Sequence, residues 1–267
     1  MAIRGMRYEN KVVVVTGGSK GIGFGCVRVF VEEGGSDVVF CARNADEGQA
    51  VAAHLNARGP GRAHFIQADV SKTDDIRALI DQTVAQHGRI DCLINNAGWH
   101  PGHKPIDDFS VQDFRNLLDL NLVSIFAACK FALPHLRKTK GNIINISSLV
   151  GAMGQLHATT YVATKGAITA LTKALAVDEA EYEVRVNSVS PGNVYTPLWQ
   201  EAIDASEDPA ATRAAGDAAQ LLGRMGTIEE AGLLCLYLAA DATFTTGVDH
   251  VLSGGAELAY GRKTRRG

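Results

Sequence analysis

Thr16-Gly17-Gly18-Ser19-Lys20-Gly21-Ile22-Gly23 decides the fold. It follows Val12-Val13-Val14-Val15, a run apolar enough for a strand buried on both faces. It also opens a helical stretch at residues 21–33. A strand that turns this tightly into a helix needs glycine, because a Cβ would clash in the turn. The same geometry aims the free N–H groups and partial positive charge of a helix N-terminus at whatever lies above the loop. An anion belongs there, and the strand–loop–helix context points to a dinucleotide pyrophosphate.

Working outward, short β-branched runs recur at 11–16, 37–41, 63–67, 92–95, 142–146, 184–189 and 249–252. Helical stretches fall between them at 21–33, 45–57, 73–87, 111–136, 161–181 and 227–239. This alternation predicts an α/β fold: one doubly wound Rossmann domain whose parallel sheet carries helices on both faces. No Pro/Ser-rich linker or repeat divides the chain, so residues 1–267 are read as a single dinucleotide-binding and catalytic domain, with short flexible ends at about 1–9 and 260–267. Residues 99–109 and 196–226 interrupt the rhythm, and the second is a candidate lid.

Composition excludes several classes. The 267 residues are 46% hydrophobic and carry a net charge of −3, which provides no field for nucleic acid or an acidic membrane. The five cysteines are scattered without a C-x-x-C, as in a reduced cytoplasmic protein. No apolar run is read as approaching the ~18 residues of a membrane span. No metal centre is expected either. In His100-Pro101-Gly102-His103 the Pro-Gly step breaks the helix that would align two imidazoles.

The second strand ends in Cys41-Ala42-Arg43. An acid here would bind a ribose 2′-hydroxyl, whereas an arginine accommodates a 2′-phosphate. Arg43, with Lys20 in the glycine loop, leans toward NADP rather than NAD. Asp69 after the third strand is placed to meet an adenine amino group or to cap the next helix. Asn95-Asn96-Ala97-Gly98 ends the fourth strand, where asparagines tie strand ends together and Gly98 leaves room for a ribose.

Tyr161 and Lys165 share a helix face. A phenol has a pKa of ~10, and an ammonium ~4 Å away supplies about the ~3 units needed for a neutral-pH base, to which an oxidised nicotinamide would add. Ser148 stands ready to hold a substrate oxygen, with Ser147 as its rival. Asn121 is a polar residue in an apolar helix, suited equally to a proton relay and to a helix–helix polar contact. Trp99, His100, Gln155, Tyr195 and Trp199 are candidate pocket walls beside Ser148 and Tyr161, suited to a flat lipophilic alcohol or to a sugar.

Taken together, Thr16-Gly17-Gly18 to Gly23, Asn95-Asn96-Ala97-Gly98, Asn121, Ser148, Tyr161, Lys165 and Pro191-Gly192 resemble the short-chain dehydrogenase/reductase family over nearly the whole chain. The resemblance implies a sheet in the order 3-2-1-4-5-6-7, a homotetramer, and Asn121, Ser148, Tyr161 and Lys165 as the catalytic set. It implies a cofactor held by Gly17, Ser19, Lys20, Gly21, Ile22, Gly23, Arg43, Asp69, Val70, Asn95, Ala97, Gly98, Tyr161, Lys165, Pro191, Gly192, Val194 and Thr196. Within the family, Asn145 to Ala152, Pro191-Gly192-Asn193, Thr196 to Trp199 and Gly254 to Leu258 are most similar to the type 14 branch of 17β-hydroxysteroid dehydrogenases. That branch implies NAD-dependent oxidation of 17β-hydroxysteroids of the estradiol type, with L-fucose or a related aldose as the alternative substrate. Where that branch has an acid, this chain has Ala42, which again favours NADP. An idle dinucleotide-binding sensor is the alternative of another class; an intact base speaks against it.

Overall fold

The computed structural model describes residues 6–258. The strands are β1 (Val12–Thr16), β2 (Asp37–Ala42), β3 (Arg62–Gln67), β4 (Cys92–Asn95), β5 (Asn142–Ile146), β6 (Arg185–Pro191) and β7 (Asp249–Leu252). The helices are α1 (Gly21–Val29), α2 (Ala45–Asn56), α3 (Thr73–His87), α4 (Val111–Leu118), α5 (Ser124–Thr139), α6 (Val150–Met153), α7 (Thr159–Asp178), α8 (Pro197–Asp204), α9 (Pro209–Ala218) and α10 (Ile228–Ala240). The sheet runs β3-β2-β1-β4-β5-β6-β7, parallel throughout. It is the Rossmann arrangement expected from the alternation.

Strand alternation splits the core in two. Val13, Val15, Phe40 and Ile144 pack with Val27, Phe30 and Leu236 on one face. Val14, Val39, Leu93 and Ile143 pack with Ile80, Leu136 and Ile168 on the other. All five cysteines are buried and free, and burial pushes the Cys41 thiol up to about 11 and the Cys129 thiol to about 12.

Several expectations change. Of the expected flexible start, residues 1–5 lie outside the described residues, and Tyr8 is fixed: it is buried, its ring meets Phe30 edge-on at 5.8 Å, and its hydroxyl accepts from Asn142 Nδ2 at 3.0 Å. The expected flexible segment 260–267, with its basic residues, lies outside the described residues. The helix expected at 111–136 reaches Thr139 and is interrupted by a π-turn at Asp119–Val123. Val111–Thr139 is also long and apolar enough to cross a membrane, contrary to the reading of the sequence. Half of its most apolar window is buried inside the domain, which is how a core helix passes the same test. The 196–226 insertion folds into α8 and α9, each begun by a proline behind a capping Thr196 or Asp208.

Two close approaches hold the glycine loop. A Cβ on Gly23 would lie 2.1 Å from the Gly17 carbonyl oxygen, so the first turn of α1 sits directly on the loop. A Cβ on Gly25 would lie 2.1 Å from the Ile228 oxygen, and one on Gly232 would lie 2.5 Å from the Gly25 oxygen. Helices α1 and α10 therefore cross at backbone contact.

Candidate active site

The site is built at the carboxyl edge of β1, β4, β5 and β6, where a parallel sheet collects its loops. The Thr16 hydroxyl accepts from the Asn96 and Ala97 backbone N–H groups at 3.0 and 3.1 Å. Asn96 Nδ2 donates to the Thr16 and Gly17 carbonyls, both at 3.0 Å, so the glycine loop is stapled to the end of β4. Asn95 points the other way, into the sheet, and donates to Asn145 Oδ1 at 2.9 Å. The asparagines do tie strand ends together. The one that braces the cofactor loop is Asn96, which the sequence reading left out of the site.

The loop fits a dinucleotide. Gly17 and Gly21 have φ of +66° and +55°, and α1 begins behind Lys20 without a side-chain cap, leaving its first N–H groups for a ligand. Gly21 faces Thr196, the N-cap of α8, with 3.5 Å from its would-be Cβ to Thr196 Cγ2. Ser19 and Ile22 lie on the same turn, and Val70 lies beyond β3. Pro191 ends β6, Gly192 follows it, and Val194 is buried and bridges to Gly226. Beyond β2, Arg43 lines a cleft of about 350 Å³ with Gln67, Asp69 and Lys72. Asp69 accepts from the Ser71 N–H and hydroxyl at 3.0 and 2.8 Å, and these bonds hold its carboxyl below the usual carboxylate range. Lys20, the expected partner cation of Arg43, pairs with Glu47 at 3.3 Å and does not line this cleft. Lys72 is a second cation there that the sequence reading did not weigh.

The catalytic candidates converge. Ser148 hydrogen-bonds the Tyr161 phenol. Ser147 is buried and donates to the Lys165 carbonyl at 2.8 Å, which ties α7 to β5 and ends its rivalry with Ser148. Lys165 is buried and donates from Nζ to the Ile146 carbonyl at 2.9 Å. A Cβ on Gly98 would stand 3.3 Å from Asn121 Oδ1 and 3.6 Å from Lys165 Nζ, so a side chain at 98 would fill this corner.

Asn121 sits in the π-turn, a feature that recurs at functional sites. Its Oδ1 accepts from Trp99 N–H at 2.8 Å, and its Nδ2 donates to Trp99 O at 2.9 Å and Thr164 Oγ1 at 3.1 Å. The amide thus clamps the loop after β4 against α7. Its side chain makes a helix–helix polar contact, to Thr164 of α7, and a further one to the Trp99 backbone.

The electrostatics depart from the sequence reading. Burial raises the Tyr161 phenol to about 12, against the lowering effect of the Ser148 hydrogen bond. Lys165 Nζ lies 5.6 Å from the phenol ring centroid, and burial lowers Lys165 to about 8. Burial thus works against the charged form of both groups, and a positive charge beside the phenol would favour its ionised form.

The pocket walls divide. The His100 ring lies 4.4 Å from the Tyr161 ring at 53°, and Gln155 hydrogen-bonds its side chain. His100 Nδ1 accepts from Gly102 N–H at 3.1 Å, and His103 packs 4.9 Å away, brought there by Gly102 at φ +84°. The Pro-Gly step therefore brings the two imidazoles together instead of separating them. Burial and His103 hold His100 below the usual histidine range, which keeps it neutral. Trp99 is half exposed. Tyr195 stacks with Arg213 at 4.2 Å and bonds Gln200, while Trp199 packs at Gly216 of α9, 3.3 Å from its would-be Cβ. These two aromatics hold the inserted helices.

A parallel sheet with a braced glycine loop, beside a Ser–Tyr–Lys cluster whose lysine is buried, defines a dinucleotide-dependent oxidoreductase acting on an alcohol. The model of the short chain dehydrogenase family matches residues 11–207, and the chain belongs to that family. It is 52% identical over 259 residues to an L-fucose dehydrogenase of Bos taurus, covering 97% of this chain and 94% of the relative. It is 54% identical over 257 residues to an L-fucose dehydrogenase of Rattus norvegicus, covering 96% and 93%. The crystal structure of Cj0485 dehydrogenase superposes with a TM-score of 0.86 at 30% identity, covering 94% of this chain and 95% of that one. The chain is an NAD(P)-dependent oxidoreductase of the alcohol dehydrogenase type.

Proposed function

We propose that this enzyme oxidises the ring hemiacetal hydroxyl of L-fucose or a closely related aldose to the lactone, using NADP. The observation that carries the reading is identity above 50% over nearly the full chain with relatives named for L-fucose oxidation. A relative named 3β-hydroxysteroid dehydrogenase stands at 36%. The steroid reading suggested by the type 14 resemblance therefore becomes the second one. Local chemistry agrees: the wall against Tyr161 is the neutral His100–Gln155 pair, which offers polar groups to several hydroxyls, while Tyr195 and Trp199 are occupied elsewhere.

In this reading Ser148 holds the substrate oxygen, and the Tyr161 oxygen takes its proton. Lys165 adds positive charge under the base, Gly98 leaves room for a ribose, and Asn121 fixes the Trp99 loop that bears His100. An oxidised dinucleotide held by the glycine loop would supply the hydride acceptor and a positive charge favouring the ionised phenol. Nicotinamide absorbance during turnover tests the substrate: L-fucose should exceed estradiol by at least tenfold in kcat/KM. Steroid turnover above sugar turnover overturns the assignment.

The NADP preference rests on Ala42 in place of an acid and on Arg43 and Lys72 at the same cleft. Replacing Arg43 by Ala should raise KM for NADP about tenfold or more and leave KM for NAD nearly unchanged, since one charge-assisted phosphate contact is worth ~1.5–3 kcal/mol. Equal effects on both cofactors would remove the 2′-phosphate from the picture. A cytoplasmic homotetramer completes the reading. Phe126 on α5 and Phe244 before β7 are exposed apolar side chains available for such contacts, and light scattering checks the assembly.

A further inference from the structure

Asp37 opens β2, His64 lies within β3, and His87 closes α3. Pairing of Val39 with His64 puts the His64 side chain on the face shared by Val39 and Asp37, the face that α3 covers. Asp37 Oδ1 and His64 Nε2 are 2.9 Å apart. The His64 and His87 rings meet edge-on at 4.6 Å and 69°. One ligand atom from each of the three residues lies within 4.8 Å of the others. His87 Nε2 is buried and has no hydrogen-bond partner among the described residues. An Asp–His hydrogen bond with a second ring packed on it leaves that nitrogen unexplained. The sequence reading, which expected no metal, could not see this cluster, because its members come from three separate elements.

We propose that Asp37, His64 and His87 form a binding site for one divalent transition ion of the zinc class. Two imidazoles and a carboxylate suit zinc better than calcium or magnesium, which prefer all-oxygen shells. Zinc bonds of ~2.0–2.2 Å bring tetrahedral donors to within ~3.5 Å of one another, so small side-chain rotations close the site. His64 and Asp37 have side chains 36% and 42% exposed, giving the ion a way in and water a place as the remaining ligand. On binding, the ion displaces the proton shared by Asp37 and His64. Asp37 begins its strand, whereas Ser148 follows the end of β5, so the site lies toward the opposite edge of the sheet from the catalytic groups. Its role is to pin the edge strand β3 to the end of α3.

The test uses the untagged full-length enzyme, stripped with a chelator, dialysed against Zn²⁺ and washed. About one zinc per chain should remain, with a higher Tm than the stripped protein. Co²⁺ in its place should give d–d absorption without a thiolate charge-transfer band, excluding the cysteines. His64→Gln and His87→Gln should each weaken zinc binding at least tenfold, with turnover retained. Each variant is compared with and without zinc, so a lower basal Tm does not imitate the effect, and Asp37→Asn serves if a histidine variant fails to fold. No retained zinc, or equal retention by the variants, overturns the site.

Discussion

Tyr161→Phe lowers turnover by at least ~10³-fold while dinucleotide binding, followed by fluorescence titration, is unchanged. The substitution removes one oxygen, the atom that Ser148 hydrogen-bonds. It leaves the ring against His100 and the backbone of α7 in place. Lys165 keeps its bond to the Ile146 carbonyl, so the corner under the cofactor keeps its shape. The pH profile separates loss of a base from loss of a contact. In wild type the neutral phenol stands at about 12 in the protein alone, and oxidation requires its ionised form. Oxidative kcat/KM should therefore rise with pH across the neutral range, as the fraction of ionised phenol in the cofactor complex grows. The phenylalanine variant should have a flat, low profile. A variant that keeps most of its rate and its pH dependence would move the base elsewhere.

Gly25→Ala is the second large effect, and it acts on stability. The added methyl would stand 2.1 Å from the Ile228 carbonyl oxygen, a backbone atom that cannot swing aside. Helices α1 and α10 must separate, opening a core that includes Cys26, Val29, Cys235 and Leu236. Overpacking costs ~1–3 kcal/mol and more where backbone is the obstacle. At ~2–4 °C per kcal/mol for a chain of this size, Tm should fall by about 5–10 °C. Calorimetry measures it. Because the first turn of α1 carries the anion-facing N–H groups, dinucleotide affinity should fall as well. An unchanged Tm would mean that the two helices tolerate a wider crossing.

The strands were legible because most are nearly continuous in apolar residues, and the loop because its glycines stand between such a strand and a helix. Tyr161, Lys165 and Ser148 were legible by spacing. What escaped is what spacing does not encode. Lys165 shares a helix face with Tyr161, yet its ammonium turns to the Ile146 carbonyl, and burial raises the phenol instead. Tyr195 and Trp199 read as pocket walls because aromatics after a strand often are, but α8 and α9 supply Arg213 and Gly216 as partners. Those two helices had a signal in Thr196-Pro197 and Asp208-Pro209, a cap followed by proline. The Gly25–Gly232 crossing joins residues far apart in the chain, each an ordinary helical glycine until the two helices meet.

The π-turn at Asp119–Val123 has a consequence for how this segment tolerates change. A π-turn is one extra residue accommodated within an otherwise regular helix. Deleting any single residue there would restore ordinary winding, leaving the two flanks on their faces but closing the widened turn that displays Asn121. Asn121 would then lose its aim at Trp99 even with its identity intact. Substitutions in this stretch cost what their own side chains contribute, whereas a loss of length misaligns the catalytic corner whichever residue is removed. Among descendants of this chain, point changes should therefore accumulate in 119–123 at positions other than Asn121, while its residue count stays constant.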